Sequence, residues 1–353
     1  MKTVHVQTGK PYDILLEAGI ADRAGEEIAR VHGPCRLCLT ADEHTAALFG
    51  DRVADSLSAA GFEVFPYVIA AGEKSKNGGE LFALLEYAAE ENLDRGDLFA
   101  ALGGGVTGDL TGLAAALYMR GTAFVQLPTS LLAMVDSSVG GKTAVDLRAG
   151  KNLCGAFWQP ELVLIDPLFL RTLPQREIAC GMGEIIKYAV LFDPPLFEQL
   201  ESGITSDQLE PVIEACVRWK QKTVEQDEFD RGVRQLLNFG HTLGHAVEQA
   251  SGYALSHGEA VSVGMVSSSA GAAARGICSR RTAQRIRRTA EGCHLPTVYP
   301  MKKETVAGYL KQDKKCQKDG IRLSLPREIG HCEPVTMTLE EALKLFDSAG
   351  AFL

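Results

Sequence analysis

Two short stretches hold the strongest chemical signal in the chain. Asn238-Phe239-Gly240-His241-Thr242-Leu243-Gly244-His245-Ala246-Val247-Glu248 reads as a helix from its apolar and small residues. In a helix His241, His245 and Glu248 stand at i, i+4 and i+7 on one stripe. Imidazoles and a carboxylate on one stripe suit a borderline-soft divalent cation. A buried helix with hydrogen-bonded histidines is the plain alternative. Ser256-His257-Gly258-Glu259 weighs against it, because Ser-x-x-Glu is the signature of a capping box. A second helix should start there, with His257 in its first turn and a short link through Ser251-Gly252-Tyr253 returning it beside the first. Thr242 stands where a zinc protease needs Glu, so a metal here would polarise or orient an oxygen rather than drive peptide hydrolysis. Glu184, in Gly183-Glu184-Ile-Ile-Lys187, lies among apolar neighbours and needs a partner. Glu184, His241 and His257 would make a three-ligand set with open positions, and His245 competes with His257 for membership.

A second signal is Asp97-Leu-Phe-Ala-Ala-Leu-Gly-Gly-Gly-Val-Thr-Gly-Asp109, a strand entering a glycine turn and then a small-residue helix. Gly103, Gly105 and Gly108 satisfy G-x-G-x-x-G, which lets backbone approach a pyrophosphate at a helix N-terminus. The next strand runs into Pro128-Thr129 with no acidic residue, so the ordinary ribose contact is missing and Asp42, at an earlier strand end, becomes the candidate. Gly140-Gly141-Lys142-Thr143 echoes a P-loop, but its upstream glycine spacing is wrong. Lys142, Lys151, Lys187, Lys220, Arg234 and Arg120 stand in stretches rich in Gly, Asn and small apolar residues. There they could turn inward toward phosphate or carboxylate.

These groups need elements to hold them. With 353 residues the chain has room for two domains, and 46% apolar with 23% charged residues is ordinary for a globular enzyme. A net charge of −9 argues against general nucleic-acid binding. No secretory signal is visible in Met1–Ile20, and no apolar run is long enough to span a membrane. Nine scattered cysteines fit free thiols in a reducing cytoplasm, and Cys35-Arg-Leu-Cys38 reads as packed strand thiols. Val4–Val6 and Tyr12–Leu16 suggest a leading hairpin. Leu37–Thr40, Phe62–Ile69, Asp97–Leu102, Ala123–Leu127 and Leu162–Ile165 suggest sheet strands, with helices at His44–Ala60 and Gly79–Asn92 between some of them. The expected fold is α/β, a Rossmann-like, mostly parallel sheet domain over residues 1–173. A mainly α-helical domain over 174–353 follows, with helices at Glu177–Phe192, Asp207–Gln226, Leu236–Ala250, Glu259–Arg275 and Arg280–Gly292.

Taken together these motifs resemble the 3-dehydroquinate synthase family of sugar phosphate cyclases, from about Asp42 to about Gly330. The resemblance rests on Gly72-Glu-Lys-Ser-Lys76, the Gly103–Asp109 turn, and Leu127-Pro-Thr-Ser-Leu-Leu-Ala-Met-Val-Asp-Ser-Ser-Val-Gly-Gly-Lys-Thr143. It rests also on Lys151-Asn152, Gly183–Lys187, Asn238–His245, His257-Gly-Glu259 and Asp313-Lys-Lys315. It implies Glu184, His241 and His257 as ligands of zinc or cobalt, with His245 catalytic beside them. NAD would be held by Asp42, Gly72, Glu73, Lys76, Gly104, Gly105, Val106, Asp109, Thr129, Ser130, Lys142, Lys151, Phe169 and Thr172. The substrate site would comprise Asp136, Lys142, Asn152, Lys187, Lys220, Arg234 and Asn238, and Arg120 would bind phosphate across a homodimer interface.

The reaction so implied is a carbon–oxygen lyase step within a redox-neutral sequence. A heptulosonate phosphate is oxidised by NAD, phosphate is eliminated, the hydride returns, and the ring reopens and closes by an aldol step. Met134, Glu43, His44 and Cys316 depart from the family's usual residues. The rivals are another sugar phosphate cyclase and a metal-dependent NAD polyol dehydrogenase.

Overall fold

Leu98–Gly103 and Leu162–Ile165 are buried along their whole length, as parallel strands covered on both faces are. They belong to a seven-stranded sheet in a computed structural model that describes residues 1–312, 316–317, 320–347, 350 and 352. In chain order the strands of this part are β1 (Lys2–Val6), β2 (Tyr12–Leu16), β3 (Arg36–Asp42), β4 (Glu63–Ile69), β5 (Leu98–Gly103), β6 (Ala123–Pro128), β7 (Lys142–Leu147), β8 (Gly150–Phe157) and β9 (Leu162–Ile165). The sheet order is β1-β2-β9-β6-β5-β3-β4, while β7 and β8 form a separate antiparallel hairpin. Within the large sheet β1–β2 is antiparallel and every other pairing is parallel. The edge strand β4 carries Pro66, which blunts an otherwise open row of donors.

Expected and observed strands of the sheet agree closely, but β7 and β8 went unread, since β7 buries three consecutive residues and β8 opens on Gly150-Lys-Asn152, so neither shows a clear alternation. The helix expected over His44–Ala60 is broken into a turn at Glu43–Thr45, a wider turn at Ala46–Gly50 and a helix at Asp51–Ala59. Asp42 caps the start of this run: its carboxylate accepts from the backbone N–H of His44 at 2.9 Å and of Thr45 at 3.1 Å.

The unit built on the sheet comprises Met1–Leu173 together with Ile213–Phe229. Lys220 therefore packs with the sheet, although it follows residue 173 in the chain. Phe99, Leu110, Leu113 and Phe124 sit in its core. The other unit comprises Pro174–Val212 and Asp230–Leu353. It contains helices at Gln175–Phe192, Pro194–Ser202, His241–Ala250, His257–Ala274, Arg280–Gly292, Lys303–Gln312 and Leu339–Asp347. A small antiparallel sheet, β10 (Cys316–Gln317), β11 (Gly320–Glu328) and β12 (His331–Met337), joins them. Leu243, Val247, Val263, Leu345 and Phe346 form its core. The helix Gln175–Phe192 is buried from Ala179 to Leu191, the mark of a helix packed on all sides.

Among the described residues no helix is long and apolar enough to cross a membrane. Cys35 and Cys38 are both free, and burial pushes the Cys38 thiol up to about 12.

His32 yields a pH prediction. Its Nδ1 donates to Glu161 Oε2 at 2.7 Å and its Nε2 to the Gly96 carbonyl at 3.0 Å, so only the imidazolium satisfies both acceptors. Bonding to Cys35 and Glu161 outweighs burial and raises its pKa from 6.5 to about 10. A raised folded pKa stabilises fully below the unfolded value and is lost as pH climbs through the folded one. The gap in Tm between the protein and His32→Gln should be widest at pH 6 and close by about pH 10. A gap that widens with pH instead would show the ring to be neutral.

Candidate functional site

Three helices of the second unit each deliver one side chain to a common point. Glu184 lies inside Gln175–Phe192, whereas His241 and His257 are each the first residue of their helix. One ligand atom from each lies within 4.8 Å of the others. Glu184 Oε1 is 3.5 Å from His241 Nε2 and 3.3 Å from His257 Nε2. The other carboxylate oxygen, Oε2, pairs with Lys187 one helical turn on, and both side chains are only 1% exposed.

Two glycines allow the approach. A Cβ on Gly258 would fall well inside 3.0 Å of the Cys180 carbonyl, and one on Gly264 would do the same to that of Gly240. Gly240 has φ 80°, which ends the preceding turn Val233–Asn238 and starts a fresh helix at His241. The single helix expected over Leu236–Ala250 is split for this reason. Glu259 accepts from the Ser256 N–H at 2.7 Å, the carboxylate arm of the box that starts the His257 helix.

The donor set fits a divalent cation. Glu184 Oε1 is buried and faces two ring nitrogens. His241 Nδ1 donates to the Phe239 carbonyl at 3.2 Å, leaving the Nε2 lone pair toward Glu184. Burial opposes charge on His257, but Glu184 and Glu248 outweigh it and raise its pKa to about 10. Cation uptake must therefore displace a proton. His245 lies in edge contact with His241, centroids 5.6 Å apart, and 5.9 Å from the His257 ring. It groups with Glu248 and His257 in a second constellation of the same tightness, but not with Glu184. Arg234, 1% exposed, and Asn238, whose amide donates to the Gln235 carbonyl at 3.0 Å, belong to the same unit.

In the first unit the glycine turn opens the helix Gly105–Leu117, with Gly104 at its cap. That terminus offers backbone N–H groups and a positive dipole end to an anion. Thr129 N–H binds the Gly103 carbonyl at 2.9 Å, and a Cβ on Gly104 would meet Ser130 Oγ at 3.4 Å, so both residues flank the turn. Lys76, 5% exposed, donates to Asp109 Oδ2 at 2.5 Å and to Asn152 Oδ1 at 2.6 Å. Burial works against its charge, yet Asp109 holds its pKa above the usual lysine range. Lys151 pairs with Glu73 at 3.0 Å, beside Gly72 at φ 99°. Phe169 packs against Phe49 with the rings tilted by 46° and centroids 4.5 Å apart, and its carbonyl accepts from Thr172 Oγ1 at 3.1 Å. Lys220 pairs with Asp136, and Lys142 opens β7 at the surface. Arg120 is exposed at φ 65°. Asp313-Lys-Lys315 lies outside the described residues.

Asp146 did not stand out in sequence. Its carboxylate accepts from the Asn152 N–H at 2.8 Å, holding Asn152 at φ 55°, and its own N–H binds the Lys76 carbonyl at 2.8 Å. The only signal was its place four residues after Lys142.

Residues 66–180 match the family model of the 3-dehydroquinate synthase N-terminal part, and residues 181–316 that of its C-terminal part. A 3-dehydroquinate synthase of Clostridium acetobutylicum is 42% identical over 339 residues, covering 94% of this chain and 95% of its own. One of Caulobacter vibrioides is 43% identical over 362 residues and 98% of each chain. Among solved structures, the 2-epi-5-epi-valiolone synthase ValA of Streptomyces hygroscopicus subsp. jinggangensis 5008, with NAD+ and Zn2+ bound, superposes with a TM-score of 0.89. It is 29% identical and covers 98% of this chain and 99% of its own.

Proposed function

The chain belongs to the 3-dehydroquinate synthase family, and on that premise we propose that it converts 3-deoxy-D-arabino-heptulosonate 7-phosphate to 3-dehydroquinate and phosphate. NAD and a divalent ion, zinc or cobalt, are its cofactors. The observation that carries the ion's part is the convergence of Glu184 Oε1 with Nε2 of His241 and His257. When bound, NAD takes up and returns a hydride, and the ion lends positive charge to substrate oxygens.

The chain's own residues divide the remaining work. Residues 1–173 hold the dinucleotide, and residues 174–353 hold the ion and most of the substrate contacts. Gly104, Gly105 and Val106 offer backbone to the pyrophosphate, with Thr129 and Ser130 flanking the turn. Asp42, Gly72, Glu73, Lys76, Asp109, Lys142, Lys151, Phe169 and Thr172 complete the cofactor's surroundings. Lys76 cannot swing freely, because Asp109 and Asn152 fix its ammonium. Among the substrate residues, Lys142, Lys187, Lys220 and Arg234 neutralise carboxylate and phosphate, and Asp136 steadies Lys220. Asn152 and Asn238 orient hydroxyls, and His245 exchanges a proton with the substrate. Oxidation of a ring hydroxyl acidifies the neighbouring C–H, and the departing phosphate can accept that proton itself. Holding one substrate through elimination, reduction and ring closure is chiefly a matter of orientation. Arg120 reaches the phosphate in the partner of a homodimer, and the enzyme works in the cytoplasm.

The test is to incubate the protein with the heptulosonate phosphate, NAD and zinc, following phosphate and NADH absorbance together. Phosphate released without NADH build-up is the expected result, abolished by a chelator and restored by zinc. Steady NADH would mean a polyol dehydrogenase. No release from this substrate, with release from another sugar phosphate, would mean a different cyclase.

A further inference from the structure

We propose that Glu248 is a positioning residue that acts through His257, holding its Nδ1 so that Nε2 faces Glu184 as an ion ligand. The inference rests on the reading of Glu184, His241 and His257 as the ligand set. His257 stands between two buried carboxylates from different helices: Glu184 Oε1 lies 3.3 Å from its Nε2 and Glu248 Oε2 lies 3.5 Å from its Nδ1. Glu248 is 3% exposed, far drier than its residue type usually tolerates. A carboxylate only accepts, so without an ion both ring nitrogens carry hydrogen, and an ion held with Glu184 replaces only the one on Nε2. With Nδ1–H turned to Glu248, the Nε2 lone pair is left for the cation. His241 is arranged alike, its Nδ1 engaged by the Phe239 carbonyl at 3.2 Å. Both rings thus show the outer hydrogen bond that fixes tautomer and direction in metal-ligating histidines.

The proposal places the ion in one of two seats that the side chains offer. His245, Glu248 and His257 bring ligand atoms within 4.8 Å of one another, just as Glu184, His241 and His257 do. An ion in the former seat would be bound by Glu248 itself. An ion in the latter is touched by neither Glu248 nor His245, and Glu248 tunes it from one bond away.

The experiment titrates metal-free protein with zinc against a chromophoric chelator, and records the visible spectrum of the cobalt-loaded form. Glu248→Gln should weaken zinc binding about 10-fold and Glu248→Leu about 100-fold, the range for lost outer partners. Both should keep the cobalt band shape, and His245→Gln should bind zinc as the unaltered protein does. If Glu248→Leu fails to fold, as circular dichroism would reveal, the Gln variant decides. Unchanged affinity in Glu248→Gln overturns the proposal. So does zinc loss in His245→Gln with a changed cobalt spectrum in Glu248→Gln, which would put the ion in the other seat. An unaltered protein that binds no zinc overturns this proposal and the ligand reading together, a distinct result.

Discussion

Glu184→Gln should lose bound zinc and phosphate release together, with kcat/KM down on the order of 10^3-fold or more. Gln keeps the shape of the side chain and removes only its charge. An ion between two neutral imidazoles and an amide lacks the anionic donor that the buried carboxylate provides. The charge that a bound ion lends to substrate oxygens is worth several kcal/mol, and each 1.36 kcal/mol is tenfold in rate. A second effect comes from the other end of the carboxylate. Lys187 pairs with Oε2, and both groups are 1% exposed. Removing one partner of a buried pair costs about 3–5 kcal/mol, because the remaining charge keeps its desolvation penalty. The variant should therefore also melt early, and the assay belongs at a temperature where circular dichroism shows it folded. Zinc content by elemental analysis separates the two effects. A folded Glu184→Gln that retains one zinc and full phosphate release would remove Glu184 from the site.

Much of this geometry was legible before any coordinates, and for a physical reason. Polar residues embedded in apolar, small-residue stretches must find partners, and Glu184, His241 and His257 are such residues. Their convergence follows from a capping box, a tight link and a helix packed on all sides. The parallel sheet was legible too, because continuous aliphatic runs such as Leu98–Leu102 have few other uses. What escaped was set by tertiary context. The hairpin of β7 and β8 mixes short apolar runs with Lys142, Asp146 and Gly150-Lys-Asn152, and its register depends on partners that local pattern does not name. The helix break lies at Gly240, at φ 80°, where a side chain would collide with Val261 and Met265 on another helix. Nothing local to Ile213–Phe229 says that it packs with the sheet. Asn152 adopts φ 55° because Lys76 and Asp146 hold it there.

Gly258→Ala should lower Tm by roughly 10 °C and weaken zinc binding, though it touches no ligand atom. The added methyl would fall on the Cys180 carbonyl, which is backbone of the neighbouring helix and cannot rotate away. The same pair is tied by the Gly258 N–H, which reaches Cys180 Sγ at 3.3 Å. Overpacking of this kind costs about 1–3 kcal/mol, occasionally more, and this contact belongs at the upper end because two helices must separate. At about 2–4 °C per kcal/mol for a unit of this size, the shift in Tm follows. The geometric consequence reaches further. Cys180 lies one turn before Glu184, and Gly258 directly follows His257. Displacing these helices moves two of the three converging side chains apart, and a ligand misplaced by an ångström loses most of its value. Gly258→Val should fail to accumulate as folded protein. Gly292→Ala is the control, since a Cβ there meets nothing within 4 Å and its helix is left intact. It should leave Tm and zinc binding unchanged. Were Gly258→Ala to match that control in both measurements, the close packing of Gln175–Phe192 on His257–Ala274 would be wrong, and the convergence of Glu184 with His257 would lose its structural cause.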